Sequence, residues 1–334
     1  MIEVKHLTKT FKLKKKQPGL WGTVRGLFSG EYEAKCAVED ISFAIRRGEM
    51  VGYIGANGAG KSTTIKIMTG ILAPSSGSCT VNGTVPYENR QQNARNIGVV
   101  FGQRTQLWWD LQLSETFSIL KEIYNVPAKA YRDTMEFLDS VLDLHEFMTN
   151  PVRTLSLGQR MRADLAAALL HRPAVVFLDE PTIGLDVLVK EKMRQAIKEI
   201  NQTFGATVVL TTHDLSDIEE LCPRIIMIDH GRLVYDGSLQ NIKDRYGAMK
   251  MLKFEVKEAG EARKIRLSTA GLAEQDLKSW CEGHSYFVSF NRHKLGIAEI
   301  VAQVMAQAEV LDISIAETGI EDIVKGIYRN ELAL

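Results

Sequence analysis

Eight consecutive residues, Gly55-Ala56-Asn57-Gly58-Ala59-Gly60-Lys61-Ser62, follow the pattern GxxxxGK[ST]. Glycines let a backbone wrap closely around a polyphosphate, so that successive N–H groups and a helix N-terminus point at it. Lys61 would then neutralise the terminal phosphates and Ser62 could ligate Mg²⁺. The β-branched run at 50–54 ahead of the loop, and the stretch behind it with Ile65, Met68 and Leu72, supply the strand–loop–helix context this chemistry needs. A second chemical element is Ala174-Val175-Val176-Phe177-Leu178-Asp179-Glu180, which reads as a buried strand ending in two carboxylates. Asp179 is suited to holding Mg²⁺ and Glu180 to polarising a water for attack on a γ-phosphate. One acidic residue at a strand end is common surface chemistry. An adjacent pair followed by Pro181, in a chain that also carries a phosphate loop, points to work on a nucleoside triphosphate.

The elements that must position these groups are legible from hydrophobic patterning. Strands are expected at 50–54, 97–101, 174–178, 207–211 and 225–228, several of them apolar throughout, as strands covered on both faces are. Between 113 and 170 the strand signals give way to helix-compatible sequence, including 131–144 and the Ala-rich 161–170, which predicts a helical subdomain spanning about 104–172. The fold class is therefore α/β with a mostly parallel sheet over 1–240. Beyond it, Leu252, Phe254 and Val256 alternate with Lys253, Glu255 and Lys257, which opens a small α+β domain over 241–334. Further strands are expected at 286–290 and 310–315, around a helix carrying Ile297, Ile300, Val301, Val304 and Met305. Thr318-Gly319-Ile320-Glu321 has capping-box form and would start a last helix.

An insertion at 12–36 begins with Lys12, Lys14, Lys15 and Lys16 and continues with Trp21, Val24, Leu27 and Phe28 at helical spacing. It reads either as a basic amphipathic helix suited to a membrane surface or partner, or as a surface insertion packing its aromatics on its own domain.

Composition excludes several classes. The 334 residues hold 41 Lys+Arg against 41 Asp+Glu, a formal net charge of +0 that argues against a protein devoted to gripping phosphate backbones. The apolar share of 45% and charged share of 25% are those of an ordinary globular chain. No apolar run is long enough for a spanning helix, and the first residues lack signal-peptide layout, so an intracellular protein is expected. Cys36, Cys79, Cys222 and Cys281 are scattered without CxxC spacing, which argues against zinc and against a disulfide framework.

Further motifs stand in a telling order. Gln103 follows the strand at 97–101, Leu155-Ser156-Leu157-Gly158-Gln159 precedes a helix, Gly184-Leu185-Asp186 follows Glu180, and His213 follows the strand at 207–211. With the two phosphate motifs, this order resembles the ATP-binding cassette (ABC) ATPases of membrane transporters, P-loop NTPases with a helical subdomain. The likeness covers residues 1 to about 239, with a looser one beyond. It implies the Q-loop, signature, D-loop and switch-histidine roles for those residues. Leu157 departs from the family pattern, which has Gly there.

The resemblance implies ATP and Mg²⁺ as ligands. Catalytic roles fall to Glu180, His213 and Gln103. The metal would be held by Ser62, Gln103 and Asp179. Nucleotide contacts would come from Gly55, Asn57, Gly58, Ala59, Gly60, Lys61, Ser62 and Thr63, with Ser156, Gly158, Gln159 and Asp186 acting across a dimer. Phe11 aligns with the aromatic that stacks on adenine, and Phe28 and Tyr32 are alternatives. Partners implied are a second copy or paralogous ATPase placed head to tail, together with integral membrane permease subunits. The location would be peripheral, on the cytoplasmic face of a bacterial cell membrane. The C-terminal extension is similar to that of drug and lipid exporter ATPases, and the insertion to that of polysaccharide exporter ATPases. The alternative is a soluble ABC ATPase working on nucleic acid or the ribosome. Adjacent Trp108 and Trp109, after the Q-loop position, cannot both face the same way in a regular element, so one is expected in the core and one as a contact anchor.

Overall fold

The structure is a computed structural model that describes residues 1–14, 32–102, 104–246, 249–268, 276–317, 320–321 and 323–324. The chain divides into two compact units, Met1–Gly237 and Ser238–Leu334.

The first unit contains two sheets. Strands β1 (Ile2–Lys14), β2 (Tyr32–Ile45) and β4 (Ser76–Val81) form an antiparallel sheet in the order β2-β1-β4. The second sheet has the order β5-β6-β7-β3-β8-β9, built from β3 (Met50–Gly55), β5 (Ile97–Phe101), β6 (Val175–Asp179), β7 (Thr207–Thr211), β8 (Arg224–Asp229) and β9 (Arg232–Ser238). From β5 to β8 every neighbouring pair is parallel. Strand β7 is buried at all five positions, which is why its sequence is uniformly apolar or Thr. His230 and Gly231, with φ of 45° and 80°, make the tight turn between β8 and β9.

Helix α1 (Lys61–Met68) lies in one core with both sheets. Ile65, Ile67 and Met68 pack with Ile2, Val4 and Ile41 of the antiparallel sheet and with Val51, Tyr53 and Phe177 of the parallel one. Helix α2 (Arg90–Asn96) precedes β5, and the helical layer between β5 and β6 consists of α3 (Leu113–Ile123), α4 (Ala128–Leu142) and α5 (Leu157–Leu169). Helix α4 starts after Pro127 and ends at Asp143 with φ 48°, so it stops short of 144. Helix α5 begins earlier than the Ala-rich run, because Ser156 and Gln159 cap it reciprocally.

Strand pairing extends into both ends of the insertion expected at 12–36: Lys12, Leu13 and Lys14 pair with Ala34, Glu33 and Tyr32. The expected helix with Trp21, Val24, Leu27 and Phe28, and Lys15 and Lys16, lie outside the described residues. Trp108 and Trp109 do not split between core and surface. Both are exposed, at 39% and 50%, and Leu107 takes the buried place beside them at 6%.

The second unit holds α8 (Leu239–Tyr246) and a four-stranded antiparallel sheet ordered β11-β12-β10-β13. The strands are β10 (Met249–Val256), β11 (Leu277–Glu282), β12 (Ser285–Asn291) and β13 (Val310–Glu317), with α9 (Ala259–Ala262) and α10 (Ile297–Met305). This is the split β-α-β arrangement. Leu252, Phe254 and Val256 are buried with Tyr286, Val288, Phe290, Ile300 and Val304, as the alternation requires. Met305 is the exception on its helix, 57% exposed, because five residues after Ile300 it has rotated off the buried stripe. Ile320, Ile323 and Val324 are buried, while Thr318 and Gly319 of the expected capping box lie outside the described residues.

Helix α6 (Val187–Phe204) and α7 (Leu215–Leu221) complete the first unit. On α5, buried Asp164 anchors the segment after residue 103: its Oδ1 accepts from Thr105 Oγ1 and Gln106 N, both at 3.0 Å. Burial pushes its carboxyl from the ordinary 3.8 up to about 6, against those hydrogen bonds and the Arg160 charge. Between these values the folded chain holds a proton that the unfolded chain releases, so ionising Asp164 weakens the fold as pH rises. Asp164→Asn keeps the one acceptor oxygen and removes the charge. It is expected to raise stability at pH 8 by about 1–3 kcal/mol, with the gain vanishing below pH 4, in urea melts across pH.

Candidate functional site

The site sits where β3, β6 and β7 end. After Gly55 the chain turns through Gly58 (φ 81°) and Gly60 (φ 107°) into α1, whose N-cap is Gly60 with no side-chain cap, so its first N–H groups face the loop. A Cβ on Gly60 would stand 2.4 Å from the Ala37 carbonyl oxygen, so only glycine fits there. Lys61 is 9% exposed, and its Nζ donates to the carbonyls of Gly55 and, at 3.2 Å, Ala56. Burial lowers its pKa, and the charges of Glu180 and Asp179 oppose that fall.

Asp179 closes β6 opposite Thr211 of β7, whose hydroxyl donates to Asp179 Oδ1. Glu180 then enters the left-handed region at φ 56°. Its N–H donates to the Thr211 carbonyl at 2.8 Å, its Oε2 accepts from His213 N at 3.2 Å, and its Oε1 lies 3.3 Å from His213 Nε2. Burial raises the Glu180 carboxyl, and the neighbouring Asp179 charge adds to this, while the His213 hydrogen bond and charge and Lys61 pull it down. A half-buried carboxylate with raised pKa beside an imidazole is suited to accept a proton from water.

These groups line one cavity of about 1000 Å³ that includes Phe11, Asn57, Gly58, Gly60, Lys61, Ser62, Thr63, Asp179, Glu180 and His213. Gly55 and Ala59 support the loop from below: Ala59 is buried and its carbonyl accepts from Gly231 N. Gln103 lies outside the described residues, as does Phe28. Tyr32 pairs with Lys14 at the start of β2. Ser156, Gly158, Gln159 and Asp186 do not line this cavity. Ser156 Oγ accepts from Gln159 N at 3.2 Å, Gln159 Oε1 from Ser156 N at 3.0 Å, and Asp186 caps α6 by accepting from Val189 N at 3.0 Å.

Sequence reasoning missed three kinds of support. Lys35, Cys36 and Ala37 line the cavity through the antiparallel sheet, whose pairing leaves little local signal. Asp217, fully buried, accepts from Thr182 and Thr212 and pairs with Arg194 Nε at 2.6 Å, tying the segments after β6 and β7 together. Gly102 donates its N–H to the Asp179 carbonyl at 2.7 Å, and a Cβ there would stand 2.2 Å from the Glu180 carbonyl. A glycine immediately before Gln103 was the available signal.

A family model described as ABC transporter matches residues 38–183. The linearmycin resistance ATP-binding protein LnrL of Bacillus subtilis is 33% identical over 232 residues, covering 69% of this chain and 74% of that protein. The chain belongs to the ABC transporter ATPase family. NatA, an ABC transporter ATP-binding protein of the same organism, is 31% identical over 62% of this chain and 83% of its own length. YhcH, an uncharacterized ABC transporter ATP-binding protein of B. subtilis, is 30% identical over 85% and 88%. Among solved structures, an ATP-binding subunit of an ABC transporter superposes with a TM-score of 0.62 at 26% identity, covering 74% of this chain and 93% of that one. A dimeric cassette in a post-hydrolysis state with ADP and Pi gives 0.58 at 27% identity, over 72% and 99%. This ABC ATPase therefore binds and hydrolyses ATP. Among the described residues, no helix is long and apolar enough to cross a membrane.

Gly102→Ala must displace the Glu180 backbone, and a displacement of ångström size costs up to about 10²-fold in rate. ATP turnover is expected to fall about 10- to 100-fold while nucleotide binding persists; turnover at the parental rate would contradict the geometry.

Proposed function

We propose that this chain is the ATP-hydrolysing subunit of an exporter, peripheral on the cytoplasmic face of the membrane, acting as a head-to-tail dimer on separate permease subunits. The observation that carries the reading is the gathering of the phosphate loop, Asp179, Glu180 and His213 in one cavity, with Ser156, Gly158 and Gln159 outside it in the same chain. A second copy can supply that signature segment; its N-capped helix start offers hydroxyl and N–H donors to a γ-phosphate. Asp186 would then communicate between copies.

In this reading the triphosphate lies along α1's N-terminus, with Gly58, Gly60, Ser62 and Thr63 donating and Lys61 between the terminal phosphates. Phe11 stacks on the base. The donor set fits Mg²⁺: the Ser62 hydroxyl and the Asp179 carboxylate both line this cavity and are hard oxygen donors, which with Gln103, phosphate and water oxygens would hold the ion. Bound there, Mg²⁺ would offset charge on the transferring phosphoryl group. Glu180 takes the proton of the attacking water, and His213, held against Glu180, orients it and contacts the γ-phosphate.

Export is supported by the resistance function in LnrL's name. The soluble alternative acting on nucleic acid is not favoured, because the matched relatives are named for transport. Residues 1–240 would be the motor domain and 241–334 an accessory domain. The contact with the permease is assigned to Trp108 and Trp109. Trp109 is braced by Arg160 at 5.7 Å from its ring, and its carbonyl accepts from Arg153 N, whose side chain pairs with Asp110 at 2.6 Å. Exposed aromatics on a braced loop are typical anchors.

Glu180→Gln is expected to retain ATP binding while lowering hydrolysis by about 10²–10⁴-fold, and Lys61→Ala to lose nucleotide affinity. Parental hydrolysis by Glu180→Gln would remove Glu180 from its role. Trp108→Ala and Trp109→Ala are expected to keep basal hydrolysis and lose stimulation by the co-expressed permease; normal stimulation of both would reassign the contact.

A further inference from the structure

The second unit carries a cavity of its own, about 360 Å³, between the segment after α9 and edge strand β11. Its origin lies in the register of β11 on β12. Leu277, Ser279 and Cys281 stand opposite Phe290, Val288 and Tyr286, so all six share the inward face. Phe290, Val288, Tyr286 and Leu277 are buried, yet Ser279 and Cys281 are exposed. Two small side chains at inward positions thus leave room where a sheet of this kind is ordinarily filled. Ala262, Ile265 and Leu267 face that room and supply an apolar wall.

Its polar features are specific. Tyr286 is 3% exposed and lines the cavity, and its hydroxyl lies near Ser279 of the same cavity but makes no hydrogen bond of good geometry there. A buried phenol so weakly satisfied gains from a further polar partner in the space before it. Arg263 and Arg266 stand at the rim, both exposed, and no carboxylate pairs with either among the described residues. Arg266 Nη1 donates to the carbonyls of Arg263 and Ile265, which holds the guanidinium at the cavity with Nε and Nη2 still able to donate.

We infer that this cavity is a binding site for one small amphipathic anion, a carboxylate, sulfonate or phosphate ester on a short acyl or aryl body. The anionic head would meet Arg263, Arg266 and the Tyr286 hydroxyl, and the body would fill the space over Ser279 and Cys281. The cavity volume lies at the small end of ligand pockets, which limits the body to a short chain or a single ring system. The residues that line the site fall within 262–267 and 277–286, and the inference does not depend on the transport reading.

The test uses the full chain with decanoate, decanol and inorganic phosphate as probes. Cys281 lines the cavity and is exposed; Cys36, also exposed, is an internal reference. Decanoate is expected to bind once per chain by calorimetry and to slow alkylation of Cys281, read by peptide mass spectrometry, without slowing Cys36. Arg266→Ala should weaken binding about tenfold, as expected for a lost hydrogen bond to a charged group, and Tyr286→Phe by about two- to tenfold. Ser279→Trp, filling the cavity, should abolish binding, with circular dichroism confirming the fold. Decanol and phosphate should each bind at least about tenfold more weakly than decanoate, since each lacks one half of the recognition. Absence of saturable decanoate binding, equal protection of both cysteines, or unchanged affinity in Ser279→Trp would overturn the inference, as would phosphate binding as tightly as decanoate.

Discussion

Glu180 occupies a backbone conformation that a side chain-bearing residue adopts only under constraint. At φ 56° it stands in the left-handed region, which costs about 1–2 kcal/mol for an L-residue. The surroundings supply that constraint from three sides. The Thr211 carbonyl holds its N–H, the His213 N–H holds its carboxylate, and Gly102 presses against its carbonyl with no Cβ between them. Thr211 and His213 come from the end of β7 and Gly102 from the end of β5, on either side of β6, so the parallel order of β5, β6 and β7 is what makes the site possible. Parallel strands release their C-terminal ends at one edge, and the loops there can converge. The buried Asp217, bridging Thr182 and Thr212 and paired with Arg194, keeps the loops on both sides of Glu180 from drifting apart.

The same logic explains what could be read from the chain and what could not. The phosphate loop, Asp179, Glu180 and His213 were legible because their chemistry depends on residue type and short spacing, and the buried β strands announce themselves as apolar runs. The antiparallel sheet was not legible. In β1 the register shifts between Val4 and Leu7, Leu7 and Lys9, and Lys9 and Thr10, so no clean alternation survives in the sequence. Its partner residues Lys35, Cys36 and Ala37 reach the site only through that pairing. Gly102 and Asp217 act through distance in space rather than in sequence. In the second unit β11 escaped notice because its inward positions include Ser279 and Cys281, which carry no hydrophobic signal. The two tryptophans were misread because a loop, unlike a regular strand, can expose both neighbours.

Leu157, the departure from the family's usual signature segment, is accommodated without disturbing the helix start. The capping box of Ser156 and Gln159 is intact around it. Its side chain lies over Gly184, where a Cβ would come within 3.1 Å of Leu157 Cδ2, and Gly158 similarly faces Val189 at 3.0 Å. The first turn of α5 therefore packs on the loop leading from Glu180 into α6. A leucine here adds apolar contact between the two segments, while Ser156 and the backbone of Gly158 keep their polar groups.

Within one copy the nucleotide cavity has a cationic floor in Lys61 and a helix N-terminus, and these offset only part of the charge of a triphosphate. Bridging donors from a second copy would stabilise closure, and release of phosphate would remove the reason for it. The most direct measurement is sedimentation velocity of the full chain carrying Glu180→Gln, with and without MgATP. The chain is expected to sediment as a monomer and to convert to a dimer only when ATP and Mg²⁺ are both present. A chain that binds ATP under those conditions and still sediments as a monomer would contradict this.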